Sequence, residues 1–158
     1  MIKWALYVVT LGFAVYWASN LFLWFPWSHS AVLGMTLMLT VAPILWGYVT
    51  FLCLRTYPGE NPTRGALRTA VIFVLMAVVM DYVFFGLIRN AMQQLYHPTT
   101  FYAYGFLVCL PFIIDWVFKN KIKQSKRPST NTDFVTAAIS GILCFGMLTL
   151  IIVFGIEI

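Results

Sequence analysis

Five long apolar stretches are the feature that most limits how this chain can fold. They cover residues 4–25, 31–54, 67–88, 100–118 and 134–156. A helix needs about 20 mostly apolar residues to cross the hydrocarbon core of a membrane. The stretches are too long for the strands of a membrane barrel, and they lack the polar–apolar alternation of such strands. The sequence therefore predicts a single all-α membrane domain over residues 1–158, built as a bundle of five transmembrane helices.

Composition agrees with a membrane protein and excludes several other classes. Hydrophobic residues make up 61% of the 158 residues and charged residues only 9%. A typical soluble domain carries about 25% charged residues, which cover its surface. So little charge argues against a soluble enzyme, a nucleic-acid-binding domain and a disulfide scaffold. We expect the lipid bilayer as the surrounding partner, no nucleic acid, and a location in the cytoplasmic (inner) membrane of a bacterium.

Basic residues are divided unevenly between the two sides that five crossings create. The positive-inside rule places loops rich in Lys and Arg on the cytoplasmic side. Nine of the ten basic residues fall on one side, and only Arg89 falls on the other. The N-terminus is therefore predicted to be cytoplasmic and the C-terminus to lie outside.

A basic run follows the fourth apolar stretch. Basic residues next to a membrane attract anionic lipid headgroups by about 1 kcal/mol each. Setting the orientation is the simpler role for this run, and contact with lipid headgroups is the second. The candidates for headgroup contact are Lys119, Lys121, Lys123, Lys126 and Arg127.

Two acidic residues lie inside the apolar stretches, Asp81 and Asp115. A rise of about 1.5 Å per residue places Asp81 about 20 Å, and Asp115 about 6 Å, from the cytoplasmic ends of their helices. This difference in depth argues against a catalytic pair of acids. Lys119 follows Asp115 by four residues, in the order that favours a helical ion pair. We therefore expect a structural ion pair between Asp115 and Lys119.

Asp81 has no basic residue within one helical turn. It shares a helix face with Ala70 and Ala77, and small residues usually mark contact between membrane helices. Asp81 is therefore expected to face the interior of the bundle. Five polar residues lie at a similar depth on the other helices, and each of them can hydrogen-bond a carboxyl group. They are Ser19, Asn20, Thr36, Tyr104 and Thr149.

Two interpretations of this polar layer stay open. In the first, Asp81 is hydrogen-bonded or protonated and only fixes the packing of the helices. In the second, it binds a proton or the polar part of a ligand, because ionisable groups are costly at membrane depth and often have a function there. The leading hypothesis is a non-enzymatic membrane protein that binds or helps to move a small polar or amphipathic solute, in a step that is proton-linked if Asp81 titrates. A structural or assembly subunit of a larger membrane complex is the alternative, and a membrane enzyme comes third.

Motifs for metals, cofactors and catalysis are missing from the sequence. His29 and His97 both map to outer loops, but two neutral ligands make a poor metal site. The three cysteines form no CxxC pair, and no phosphate-binding loop or hydrolase motif occurs. We therefore predict no cofactor and no catalytic residues.

Small residues in the fifth stretch predict a helix-packing face. Ala137 and Gly141 have the small-xxx-small spacing of close helix contacts. We interpret this face as a candidate contact with another subunit. A homo-oligomer or a complex with a partner membrane protein is expected, because one bundle of five helices is small for a transporter acting alone.

Overall fold

The computed structural model describes residues 1–155, and within that range the chain is helical with no strand. The predicted end of the fifth stretch, at residue 156, and the C-terminus lie outside the described residues. Five continuous helices are long and apolar enough to cross a membrane, and their ranges are Ile2–His29, Ala31–Arg55, Pro62–Ile88, Pro98–Gln124 and Asn131–Val153. The prediction of five apolar helices is confirmed.

Two of these helices contain a π-helical segment. The first consists of α1 (Ile2–Ser19), a π-helical segment (Asn20–Trp24) and α2 (Phe25–His29). The third consists of α4 (Pro62–Asp81) and a longer π-helical segment (Tyr82–Ile88), and a short 3-10 helix (Met92–Tyr96) follows it. The other helices are α3 (Ala31–Arg55), α5 (Pro98–Gln124) and α6 (Asn131–Val153).

The first helix does not end at residue 25, where the first apolar stretch ends, but continues through Pro26. The π-helical segment precedes it, and the N–H of Phe25 donates to the carbonyl of Asn20 five residues back. A proline ring clashes with the carbonyl four residues earlier in an α-helix. The wider π turn places its hydrogen bonds one residue further back, so the chain passes through Pro26 and remains helical to His29.

The fourth helix also runs further than predicted. Phe118, the expected last residue of the span, has a non-helical backbone (φ −106°, ψ 15°), and the helix bends there and continues to Gln124. Lys119 and Lys121 therefore lie on a helical turn beyond the bend and not in a loop.

The first helix occupies the centre of the bundle. α1 packs against α3, α4 and α6, whereas α5 packs against α3 and α4. Short connections make successive helices antiparallel, so the bundle has two ends. We call the end with residues 56–61 and 125–130 the basic end, and the end with His29 and His97 the histidine end.

The small-residue face of α6 packs within the chain. Ala137 and Gly141 are buried, and a Cβ added to Gly141 would lie 2.6 Å from Cδ1 of Phe13 and 3.0 Å from Cα of Ala14. α1 therefore occupies the face that the sequence had suggested for another subunit. The small spacing marks close helix contact but does not say which helix makes it, which is why this prediction was wrong about the partner.

Hydrogen bonds join the two loops of the basic end. The N–H of Arg127 donates to the carbonyl of Arg55, and Nζ of Lys126 donates to the carbonyl of Gly59. The Arg127 guanidinium also donates to both oxygens of Asp133, at 2.8 and 3.0 Å. These hydrogen bonds raise the pKa of Arg127. Two of the five residues proposed for lipid headgroups are thus held by protein contacts.

Asp115 and Lys119 do not form the expected ion pair in the described part of the chain. One carboxylate oxygen of Asp115 is buried without a hydrogen-bond partner. The bend at Phe118 lies between the two residues, so Lys119 is no longer in the regular i+4 position that the prediction assumed.

Candidate proton- or ligand-binding site

Asp81 joins three helices through its two carboxylate oxygens. It is the last residue of α4 and is only 8% exposed. The hydroxyl of Tyr16 on α1 donates to Oδ1 at 2.5 Å, and the hydroxyl of Tyr104 on α5 donates to Oδ2 at 2.6 Å. Distances this short are typical of O–H···O hydrogen bonds to an ionised acceptor.

The two tyrosines suit the ionised form of this acid. A carboxylate only accepts hydrogen bonds, whereas a protonated carboxyl group also donates one. When protonated Asp81 donates to the tyrosine that faces its protonated oxygen, that tyrosine turns its own hydroxyl hydrogen away and accepts instead. Tyr16 is buried, while Tyr104 is only half-buried. Tyr104 is therefore the hydroxyl with more freedom to turn.

Both π-helical segments follow residues of the Asp81 site in sequence, towards the histidine end of the bundle. Tyr82–Ile88 begins at the next residue of the same helix, and Asn20–Trp24 begins four residues after Tyr16 on α1. π-helical turns are rare and occur frequently at functional sites. Two such segments on neighbouring helices therefore make the backbone irregular next to Asp81. Asp81 is the one buried acid among the described residues.

Aromatic rings pack between the Asp81 site and α6. Trp17 is 1% exposed, and its ring contacts those of Tyr16, Phe84 and Phe145 at centroid distances of 5.2, 6.1 and 4.6 Å. Its indole Nε1 is buried and has no hydrogen-bond partner. Trp17 thus separates α6 from the hydrogen bonds of Asp81.

The other residues of the predicted layer do not contact Asp81. Thr149 donates to the carbonyl of Phe145 within α6. Thr36 is exposed and donates to the carbonyl of Val32 within α3. Depth along a helix is set by residue count, but the direction around the helix is set by packing. Both hydroxyls therefore bond within their own helices and not to Asp81.

Ser19 and Asn20 lie next to the site without contacting the carboxylate. The Ser19 hydroxyl accepts a hydrogen bond from Nε1 of Trp46 at 2.9 Å. The Asn20 side chain donates to the carbonyl of Tyr16 at 3.0 Å. These residues therefore tie α1 to α3 and support the backbone that carries Tyr16.

Tyr16 was not among the residues predicted from the sequence. Its depth matches that of Asp81 to within about one helical turn, counted at about 1.5 Å per residue. The chain contains eight tyrosines, however, and depth alone does not select the one that faces Asp81. Its position one helical turn before Asn20 was the available signal.

The two histidines have structural roles at the histidine end. The His97 ring accepts from the N–H of Thr99 at the start of α5. The ring of His29 packs edge-on against Phe25 at 4.8 Å. Within residues 1–155, no group of three or more His, Cys, Asp or Glu side chains is arranged to hold a metal ion.

Comparison with known proteins gives no relative from which a role could be transferred. No protein-family model, no curated protein and no solved structure matches this chain.

Proposed function

We propose that this chain is a multi-pass membrane protein that binds or helps to move a small polar or amphipathic solute at Asp81, in a proton-linked step. The observation that carries the proposal is the buried carboxylate with two tyrosine donors from two other helices. An acid at this position can neutralise a cationic group or carry a proton, and acids within membrane helices are rarely retained without such a role.

The irregular helix geometry and the partial burial of Tyr104 favour a role in movement over rigid packing alone. Tyr104 is half-buried, so its hydroxyl can exchange Asp81 for water or a ligand. The π-helical segments that follow Tyr16 and Asp81 towards the histidine end allow small shifts of α1 and α4 without breaking the rest of each helix. Protonation of Asp81 would then change its hydrogen bonds to α1 and α5, and with them the contacts of three helices.

A structural or assembly subunit is the second candidate, and one observation favours it. Each oxygen of Asp81 already has a hydrogen-bond donor, so the acid can hold three helices together without binding anything else. A subunit of this kind is expected to co-purify in fixed stoichiometry with a larger membrane complex. A solute-binding protein, in contrast, is expected to bind its solute when it is purified without other proteins.

Proton movement in reconstituted vesicles tests the leading proposal. We expect vesicles that contain the full-length chain, with a pH-sensitive dye inside and an inside-negative potential applied, to acidify faster than empty vesicles. Ethidium serves as a probe for a cation site, and its fluorescence should change on binding to the purified protein. If the folded protein gives neither signal, the proposal fails and the structural role is favoured.

We further propose that the chain lies in a bacterial cytoplasmic membrane with its basic end in the cytoplasm. The C-terminus then lies outside, since five helices cross the membrane an odd number of times. Alkaline phosphatase fused after Ile158 is expected to be active in a bacterial host, whereas green fluorescent protein fused at the same position should be dark. A fluorescent and phosphatase-negative pair of fusions would contradict this orientation.

A further inference from the structure

A groove on the side of the bundle between α3 and α5 is separate from the Asp81 site. It has a volume of about 330 Å³. Pro43, Gly47 and Phe51 line it from α3, and Ile114, Phe118 and Lys121 line it from α5. Lys121 is charged, whereas the other five residues are apolar.

Gly47 and Phe118 create the space between the two helices. Gly47 has no side chain, and a Cβ at this position would lie 3.6 Å from Cδ1 of Ile114, which is an ordinary contact distance. Phe118 marks the bend in α5, after which the helix no longer follows α3 in a straight line. The groove therefore runs from the Gly47–Ile114 contact, past the edge-on pair of Phe51 and Phe118 with ring centroids 6.1 Å apart, to Lys121.

The dimensions of the groove match an acyl chain in one leaflet. From Pro43 to Phe51 the wall of α3 is about 12 Å long at 1.5 Å per residue. One leaflet contributes about half of the roughly 30 Å hydrocarbon core. Ile44 and Tyr48 on the same wall are 73% and 61% exposed, so the groove opens sideways from the bundle and a lipid chain can enter it from the bilayer.

Lys121 gives the open end of the groove a positive charge. Its side chain is exposed and, within the described range, takes part in no ion pair or side-chain hydrogen bond. Lys126 and Arg127, in contrast, are held by Gly59 and Asp133. Lys121 is thus free to pair with an anion at the point where the apolar groove reaches the basic end.

We propose that the α3–α5 groove binds one acyl chain of an anionic glycerophospholipid, whose phosphate pairs with Lys121. The apolar walls recognise the chain and the lysine recognises the headgroup charge. A lipid presents these two chemistries together at the membrane surface, whereas a free phosphate has nothing to place in the groove.

Native mass spectrometry of the full-length protein in detergent tests this site. We expect one phosphatidylglycerol molecule to remain bound at concentrations where phosphatidylcholine with the same acyl chains does not. Lys121→Gln should weaken phosphatidylglycerol binding about fivefold, the effect of one basic residue at a membrane surface. Lys3→Gln is the control, because Lys3 is exposed near the basic end of α1, does not line the groove and is not one of the candidates for headgroup contact.

A second pair of variants tests the role of the apolar walls. Gly47→Leu fills the groove and should remove the bound lipid, whereas Gly146→Leu adds the same side chain to open space and should leave it bound. Three results would overturn the proposal. They are equal binding of the two lipids, an equal loss of binding in Lys121→Gln and Lys3→Gln, and displacement of the lipid by inorganic phosphate alone. A negative result for lipid binding does not bear on the proposal for Asp81, because the proton flux that tests Asp81 is measured without reference to bound lipid.

Discussion

Replacing Gly141 with valine is expected to detach α6 from the rest of the bundle. A Cβ at this position would lie 2.6 and 2.9 Å from two ring atoms of Phe13 and 3.0 Å from the backbone Cα of Ala14. The Phe13 ring can turn, but the backbone of α1 cannot move without disturbing the central helix. Overpacking of this kind costs about 1–3 kcal/mol.

The position of α6 explains why this clash has no local remedy. Among the described residues, its extensive contacts are with α1 and with the π-helical segment at Asn20–Trp24, which both belong to the first membrane-spanning helix, so its position depends mainly on that helix. Between membrane helices, close packing contributes much of the association energy, because lipid competes equally for apolar side chains. A helix that docks on one neighbour through small residues therefore depends strongly on each of them.

Gly146 provides the matched control in the same helix. A Cβ at Gly146 meets nothing within 4 Å, so Gly146→Val makes the same chemical change without a clash. Unfolding in sodium dodecyl sulfate, followed by tryptophan fluorescence, should show a lower midpoint for Gly141→Val. We expect Gly146→Val to stay within about 0.5 kcal/mol of the parent protein. Equal destabilisation by both variants would contradict the docking of α6 on α1.

The number and approximate range of the helices could be read from the sequence, because membrane-spanning length depends only on local composition. The errors lie where the backbone departs from a regular helix. Pro26 lies just after a π-helical segment and Asp115 just before the bend at Phe118. Residue counting assumes uniform geometry, so it placed the end of the first helix and the partner of Asp115 incorrectly.

The candidate site was predictable in depth but not in direction. Tyr104 was among the residues expected near Asp81, and the structure brings them into contact. Thr36 and Thr149 have the same depth but donate to carbonyls of their own helices. Which side of a helix faces the centre depends on contacts with several neighbours, and a nearly uniform apolar sequence carries little information about that rotation.

Asp81→Asn is expected to reduce proton flux to the level of empty vesicles while the protein still folds. Asparagine has nearly the same shape, and its carbonyl oxygen can accept from one tyrosine while its amide group donates to the other. The hydrogen bonds between α1, α4 and α5 are therefore retained. What is lost is the ability to ionise, so a loss of flux without a loss of stability assigns the function to the charge.

Asp115→Asn is the control for this experiment, because Asp115 is the other acid placed inside an apolar stretch by the sequence. Its change removes one negative charge from α5 but leaves the two tyrosines and Asp81 in contact, so flux should be unchanged. Asp81→Leu separates the two roles further, since leucine can neither ionise nor hydrogen-bond. A folded Asp81→Leu protein with normal flux would exclude Asp81 from the mechanism. A stable Asp81→Asn protein without flux cannot be explained by helix packing, because asparagine preserves that packing.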